Sequence, residues 1–315
     1  MIRARWSGLA TVHLARYATH NPPPTLMSET AVLPRKPRDD EMDVFGLSHT
    51  GKVRKENQDH FLMATFHKRI NVISTNLPNI EQRFPLGEQR LAYVAMVADG
   101  VGGGVGGAEA SAIALESLMR YVDGSVTVYY GAEADVAEFT DLLQSAAMQA
   151  HDAVRARRDA QGLRGTMATT LTLYIGVWPT YYLLQVGDSR YYVFRDGVLS
   201  QVTRDQTMAQ DLVDDGILCA SKAGNSPMAH VLSSAIGSDK TMPVVTRLDA
   251  DWHNVHLLCS DGLTKHVTDA RITEVLGAMT SAKQAAEQLL QDALDGGGSD
   301  NITIIVGRAT PKPLG

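Results

Sequence analysis

The stretch VADGVGGGVGG, from Val97 to Gly107, places one carboxylate, Asp99, directly before a glycine-rich loop. The apolar run LAYVAMVA leads into it, and the helix-like run AEASAIALESLMRYV follows it. Three interpretations fit a strand, a loop and a helix in this order: a phosphate-cradling loop, a metal-binding corner, or a flexible turn. The rest of the chain has to decide between them.

The dinucleotide fingerprint G-x-G-x-x-G fits Gly102, Gly104 and Gly107. That motif also requires a second strand after the helix, ending in an acidic residue that holds the ribose. Here Asp123 precedes the strand-like run SVTVYY instead of ending it, and no Gly-Lys-Ser/Thr of a Walker motif follows the loop. The phosphate-cradling interpretation is therefore disfavoured.

The composition is that of an ordinary globular protein, with 315 residues, 44% of them hydrophobic and 20% charged. A net charge of -6 does not favour non-specific binding to nucleic acid or to an anionic membrane. No apolar run approaches the ~18 residues that a membrane helix needs. Two cysteines, Cys219 and Cys259, cannot build a disulfide framework or a cysteine-based zinc site, and they predict a reduced, cytoplasmic protein.

The first 40 residues differ from the rest. They contain no acidic residue until Glu29, then a triple proline and the polar run PRKPRDDE. We predict a disordered tail over residues 1–40, with a transit peptide or a true start at Met27 as the alternatives. Residues 41–310 are predicted to form a single domain.

Runs rich in β-branched and aromatic residues predict strands in DHFLMATF, LAYVAMVA, TTLTLYIGV, TYYLLQVG, RYYVFRDG, VLSQVT, NVHLLCS and NITIIVGRA. Helical spacing predicts helices over Ala108–Val122, Ala137–Ala160, Thr207–Gly216 and Ala282–Leu294. The pair Asp196-Gly197 predicts a hairpin. Because strands often follow one another without a helix between them, we expect largely antiparallel sheets with helices on their outer faces, a layered α/β (α+β) fold. Residues 66–90 are predicted to be a long insertion between two strands.

Five aspartates stand at predicted strand ends beside turn residues, and these are Asp59, Asp99, Asp188, Asp261 and Asp300. If the strand ends share one edge, the carboxylates converge and raise one another's pKa unless cations neutralise them. The available ligands are all oxygen, which favours Mg²⁺ or Mn²⁺. Gly100 lets the backbone turn sharply and can offer its own carbonyl. A single Asp-Gly pair after a strand is usually only a turn, so the prediction rests on the joint pattern.

Six motifs, in order, resemble those of the metal-dependent Ser/Thr protein phosphatases of type 2C, especially bacterial members. They are GLSHTGKVRKENQDHF, VADGVGGGVGGAEAS, GTMATTL, VGDSRYYVFRDGVLSQVTRDQT, LLCSDGLTKHVTD and GGGSDNITIIV. The resemblance implies a four-layer α-β-β-α sandwich of two mainly antiparallel sheets flanked by helices, with two Mn²⁺ or Mg²⁺ ions between the sheets. It also implies direct hydrolysis of phosphoserine and phosphothreonine in proteins by a metal-activated water, without a phospho-enzyme.

By the same resemblance, the metal ligands are Asp59, Asp99, Gly100, Asp188, Asp261 and Asp300. Asp99 bridges both ions, and Asp59 acts through metal-bound waters. Asp188 and Asp261 support a third, weaker ion. Arg54 corresponds to the arginine that binds the substrate phosphate, so Arg54, Asp59 and Asp99 form the implied catalytic set.

The chain departs from the family pattern in several places. Gln58 stands where many members have Glu, and His230 stands for an asparagine in residues 207–237, which resemble the family's flap. Val101 and Gly104 stand at the two positions where members carry a histidine, so the acid that protonates the leaving oxygen is not identified.

Two further side chains could be mistaken for catalytic groups. His60 follows Asp59 along a strand and is therefore expected to point to the opposite face, where it packs or is solvated. Cys259 lies in an apolar strand and is expected to be a buried structural thiol.

Two other functions remain open. One is a phosphatase-like domain that only binds partners, and the other is a metal-dependent hydrolase of a small phosphorylated molecule. Retention of every metal aspartate favours an enzyme. The resemblance implies phosphorylated proteins as substrates and a cognate Ser/Thr kinase that acts on the same targets. We expect no nucleic-acid partner, and a cytoplasmic monomer without a membrane span.

Overall fold

The computed structural model describes residues 35–70, 87–101, 106–129, 136–163 and 167–312. Contacts divide the chain into two units, residues 1–35 and 36–315. Most of the predicted tail, the centre of the predicted insertion and Gly104 lie outside the described residues. Residues 36–40 are described, and the carbonyl of Pro37 accepts a hydrogen bond of 2.6 Å from Arg90 Nη2.

The described strands form two antiparallel sheets. In chain order the strands are β1 (Met42–His49), β2 (Asp59–Ile70), β3 (Gly87–Val101), β4 (Ala168–Thr169), β5 (Leu171–Val177), β6 (Thr180–Val186), β7 (Arg190–Arg195), β8 (Val198–Gln201), β9 (Val244–Asp249), β10 (Val255–Cys259) and β11 (Ile302–Ala309). One sheet has the order β1-β11-β10-β7-β8 and the other the order β2-β3-β5-β6-β9, with β4 beside β3.

The described residues form seven α-helices, some on the outer faces of the sheets and some at their edge. They are α1 (Gly106–Tyr129), α2 (Val136–Ala160), α3 (Met208–Asp214), α4 (Ala220–Ala223), α5 (Asp261–Thr264), α6 (Asp269–Gly277) and α7 (Ala282–Asp295). Helices α1 and α2 pack on the sheet that contains β3, and α6 and α7 pack on the sheet that contains β11. Within the described residues, no helix has both the length and the apolar character of a membrane span.

Alternation along the strands creates three layers of core. In β3, Met96 faces α1 and α2, whereas its neighbour Val97 faces the other sheet. The space between the sheets is filled by side chains such as Tyr181, Leu258 and Ile305. The predicted α-β-β-α sandwich is therefore confirmed.

Several local predictions are confirmed and one is wrong. Asp196 and Gly197 both have positive φ, 50° and 81°, as a two-residue hairpin between β7 and β8 requires. The run SVTVYY, in contrast, is not a strand, because α1 continues through Tyr129. Extending an established helix costs little even for β-branched residues, since nucleation is the expensive step. The two ends of the predicted insertion lengthen the β2–β3 hairpin, where Ile70 pairs with Gly87.

Candidate metal centre

Asp59 and Asp99 face each other across the antiparallel pair β2–β3, because they are partners in its register. Asp59 Oδ2 accepts hydrogen bonds of 2.7 Å from Ser260 Oγ and 2.8 Å from Thr303 Oγ1. Ser260 follows β10 and Thr303 lies in β11, so both hydroxyl groups come from the other sheet. Asp59 Oδ1 is buried and has no hydrogen-bond partner. One oxygen thus ties the two sheets together, while the other remains available to a ligand.

The end of β3 is held in place around Asp99. The Asp99 N–H donates to Thr170 Oγ1 at 2.9 Å, and the Thr170 N–H returns a bond to the Asp99 carbonyl. The next residue, Gly100, donates to the Gln58 carbonyl at 3.2 Å. A Cβ atom at Gly100 would lie 2.8 Å from that carbonyl oxygen and closer still to the carbonyl of Gly107, so only glycine fits.

Asp261 and Asp300 come from the neighbouring strands β10 and β11, at the same edge. Asp261 is the first residue of α5 and stands two residues after β10, and Asp300 stands two residues before β11. The Lys265 ammonium lies 2.6 Å from Asp261 Oδ2 and 2.7 Å from Asp300 Oδ2. Asp261 Oδ1, like Asp59 Oδ1, is buried without a hydrogen-bond partner.

Asp188 occupies the turn between β6 and β7 and is 8% exposed. Burial, with the charges of Asp261 and Asp205, raises its pKa to about 8. It lines a cavity of about 420 Å³ together with Asp261, Lys265 and His230. Helices α3 and α4, in the segment that resembles the family's flap, contribute Gln210, Ala220 and other residues to the same cavity.

The carboxylates are close enough to perturb one another. Burial raises the pKa of Asp99 well above its usual range, and the charges of the other four aspartates, Asp59, Asp261, Asp188 and Asp300, raise it further. Burial also raises the pKa of Asp59 to about 6, although the bonds from Ser260 and Thr303 oppose this. The predicted convergence of five strand-end aspartates is therefore present in the fold.

Cations on the chain neutralise part of this negative charge. Burial would raise the pKa of Asp300, but its bonds to Lys265 and Arg54 outweigh burial and lower it. Within the described ranges, no group of three or more His, Cys, Asp or Glu side chains is arranged to hold a metal ion. The donor chemistry nevertheless fits a hard cation, because the two unpartnered carboxylate oxygens are buried acceptors beside further carboxylates.

Arg54 reaches the same edge from the loop between β1 and β2. Its Nε lies 2.8 Å from Asp300 Oδ1, and its side chain is 49% exposed. Asn301 shapes this loop, because its Oδ1 accepts from the Gln58 N–H and its Nδ2 donates to the carbonyls of Thr50 and Glu56.

Sequence reasoning missed Lys265 and the ion pair between Arg190 and Asp205. Arg190 stands two residues after Asp188 in the chain. Its Nε and Nη2 contact the two Asp205 carboxylate oxygens at 2.9 and 2.7 Å. The four-residue spacing from Asp261 was a signal for Lys265, since residues i and i+4 share a helix face. No local signal joins Arg190 to Asp205.

The predictions that His60 points away from the carboxylates and that Cys259 is buried are confirmed. His60 Nδ1 is 2.8 Å from Ser111 Oγ on α1, on the face away from the carboxylates, and burial lowers its pKa. Cys259 is fully buried, and burial raises the pKa of its thiol to about 12. Neither can serve as the missing acid. Val101 is the last residue of β3 and offers no proton.

The chain is similar to one family of known proteins. The family model of Protein phosphatase 2C matches residues 84–296, more than half of the chain. The serine/threonine protein phosphatase PstP of Mycobacterium tuberculosis is 32% identical over 215 residues, which are 68% of this chain and 40% of PstP. The chain thus aligns with less than half of that relative's length. The serine/threonine phosphatase Stp of Listeria innocua is 29% identical over 214 residues, or 68% of this chain and 83% of Stp.

A solved structure gives the same result for the fold. The crystal structure of the catalytic domain of PstP in complex with two manganese ions superposes with a TM-score of 0.65 and 28% sequence identity. The superposition covers 86% of this chain and 99% of that domain.

Proposed function

Because the chain belongs to the protein phosphatase 2C family, we propose that it hydrolyses phosphoserine and phosphothreonine in proteins with the help of two divalent ions. Water is the direct nucleophile in this proposal, and no phospho-enzyme forms. The observation that carries it is the meeting of aspartates from both sheets at one edge, with two buried carboxylate oxygens that have no hydrogen-bond partner.

The two ions would be held by Asp59, Asp99, Asp261, Asp300 and the carbonyl of Gly100. All these donors are oxygen atoms, which suits Mn²⁺ or Mg²⁺ better than softer metals. A buried acceptor without a partner costs about 1–3 kcal/mol, and this cost would be removed by a metal-bound water at Asp59 Oδ1 and a cation at Asp261 Oδ1. When bound, the ions would lower the pKa of water and offset the charge of the phosphoryl group.

Asp188 extends the proposed centre. It is buried beside Asp261, and burial, with the charges of Asp261 and Asp205, raises its pKa. The proposal includes a third, weaker ion at Asp188 and Asp261, because the resemblance to the family implies one there.

Arg54 would bind the phosphate of the substrate. Its guanidinium stands at the exposed rim of the centre and is oriented there by Asp300. The planar group has five N–H donors, of which Asp300 uses two, so others remain to bind phosphoryl oxygens. The pairing with Asp300 also raises the pKa of Arg54, so its charge is permanent.

The cavity beside Asp188 and Lys265 would receive the chain around the phosphorylated residue. Its wall is formed by the flap, which includes α3 and α4 and brings His230 into the lining. Loops and short helices above a rigid sheet edge are the usual carriers of substrate selectivity. Phosphorylated proteins made by a cognate Ser/Thr kinase, a monomeric state and a cytoplasmic location complete the proposal, and they rest on the family alone.

Hydrolysis assays test this function. The metal-supplemented protein is expected to hydrolyse a phosphothreonine peptide and p-nitrophenyl phosphate with Mn²⁺, and to lose both activities in excess EDTA. Asp99→Asn should lose activity by about a hundredfold or more, because it weakens a ligand shared by both ions. Asp159→Asn changes an exposed carboxylate and serves as the matched control.

The same assays separate the alternatives. Hydrolysis of small phosphorylated metabolites in preference to peptides would indicate a small-molecule hydrolase. Absence of all hydrolysis by the Mn²⁺-loaded protein would leave a binding domain.

A further inference from the structure

Lys265 lies inside the cluster of carboxylates, where it contacts two of them at once. Helix α5 places it four residues after Asp261, on the same helix face. Its ammonium is 2.6 Å from Asp261 Oδ2 and 2.7 Å from Asp300 Oδ2, and its side chain is 21% exposed. The ammonium therefore occupies a position between two carboxylates that the proposed function gives to a divalent ion.

Asp300 has no spare acceptor position in this arrangement. Its Oδ1 receives the Asn301 N–H at 3.0 Å and Arg54 Nε at 2.8 Å. Its Oδ2 receives Arg54 Nη2 at 3.0 Å and Lys265 Nζ at 2.7 Å. An ionised carboxylate offers about four lone-pair sites, and all four face a nitrogen here. Asp300 must therefore release one of these partners before it can hold an ion.

Lys265 is the partner best placed to leave. The Asn301 N–H is backbone and belongs to the residue next to Asp300, so it moves only with the chain. Arg54 contacts both Asp300 oxygens, and it is the proposed phosphate ligand. Lys265 holds Asp300 through one atom on a flexible four-carbon stem, and it lines the cavity of about 420 Å³ into which that stem can turn.

The ammonium and a divalent ion would also exclude each other electrostatically. Two cations that share the same pair of carboxylates repel, and in a partly buried site the repulsion is weakly screened. The Lys265 ammonium lies within 2.7 Å of both carboxylates, so it already supplies positive charge where the ion would bind.

We propose that Lys265 is a resident cation of the Asp261–Asp300 pair and competes with the second divalent ion for it. This inference rests on the proposed function, because it takes Asp261 and Asp300 as ligands of that ion. Its consequence is that the chain loads this ion only at a higher metal concentration than the bare carboxylates would require. In the metal-free protein, the Lys265 ammonium offsets part of the negative charge of Asp261 and Asp300.

The test is calorimetric titration of metal-stripped protein with Mn²⁺, which reads binding and not activity. Lys265→Gln removes the charge and keeps most of the length. We expect one class of Mn²⁺ site to tighten by about tenfold or more, which is about 1.4 kcal/mol, with the other class nearly unchanged. Lys283→Gln is the matched control, since Lys283 is exposed on α7, where it lies near Glu287 and the Phe45 ring and not near the five aspartates, and it should bind Mn²⁺ as the unmodified chain does.

Thermal denaturation supplies a second readout for a variant that folds less well. Removal of Lys265 leaves Asp261 and Asp300 short of positive charge, so the metal-free variant should melt at a lower temperature. Saturating Mn²⁺ should then raise its melting temperature more than it raises that of the unmodified chain.

The outcomes are distinguishable. Unchanged or weaker Mn²⁺ binding by Lys265→Gln, with normal binding by the unmodified chain, would overturn the competition and leave the metal centre standing. If the unmodified chain binds no Mn²⁺, the metal centre of the proposed function fails and the competition fails with it.

Discussion

Replacement of Asp59 by asparagine is expected to stabilise the metal-free protein at neutral pH, although it removes a proposed catalytic group. Burial raises the pKa of Asp59 from 3.8 to about 6. The folded state therefore resists ionisation of this carboxyl group, so the stability present below about pH 4 is lost as the pH rises through about 6. The difference of roughly two pH units corresponds to ~3 kcal/mol, and the whole of it applies at pH 7.5.

Asparagine fits the site because its two ends differ in the required way. Its carbonyl can accept from Ser260 and Thr303, as Asp59 Oδ2 does. Its NH₂ group takes the place of Oδ1, so a buried acceptor without a hydrogen-bond partner is removed. Some of the gain is lost to imperfect geometry, so we expect a net stabilisation of about 1–3 kcal/mol at pH 7.5.

Urea unfolding in excess EDTA, at about pH 4.5 and pH 7.5, measures this effect. The free energy of unfolding of Asp59→Asn should exceed that of the unmodified chain at the higher pH, and the two should approach each other at the lower pH. The exposed-site control Asp159→Asn should stay within about 0.5 kcal/mol at both. A variant that is equally or less stable at pH 7.5, or a gap that does not shrink on acidification, would refute the reasoning from burial.

Three further predictions test other parts of the centre. Gly100→Ala should lower the melting temperature and weaken Mn²⁺ binding in a thermal-shift titration, because its Cβ would lie 2.8 Å from the Gln58 carbonyl, whereas Gly124→Ala, with open space around it, should do neither. Arg54→Ala should raise the KM for a phosphothreonine peptide by about tenfold or more in steady-state kinetics and leave calorimetric Mn²⁺ binding in place; an unchanged KM would remove Arg54 from the phosphate site. Arg190→Met should lower the free energy of unfolding in urea by about 1–3 kcal/mol, because it leaves the half-buried Asp205 carboxylate without its ion-pair partner. The double variant with Asp205→Asn should recover part of that loss.

The fold was largely predictable because its signals are local. Strands such as β5 and β6 are dense in β-branched and aromatic residues, and α2 repeats apolar residues at helical spacing. The elements that were not predicted have weaker signals. Strand β9 (VVTRLD) is an edge strand with three exposed positions, and β1 (MDVFGLSH) carries a glycine and a charged residue. Their pairing is set by neighbours far along the chain.

Part of the candidate site was also predictable from the sequence, and part was not. The five aspartates could be grouped from the sequence because each stands at a strand end, and antiparallel neighbours bring such ends to one edge. The pairing of Lys265 with Asp300 spans 35 residues, and the pairing of Asp59 with Ser260 spans 201. No local pattern encodes contacts of that kind, so the sequence could not show which cations and hydroxyl groups complete the cluster.

The most direct measurement is a count of the Mn²⁺ ions bound by the full chain, by equilibrium dialysis or native mass spectrometry, in the unmodified protein and in Asp99→Asn. At saturating Mn²⁺ we expect at least two bound ions in the unmodified chain and loss of two in the variant, because Asp99 is the proposed shared ligand. An unmodified chain that binds none, or a variant that binds as many ions as the unmodified chain, would contradict this expectation.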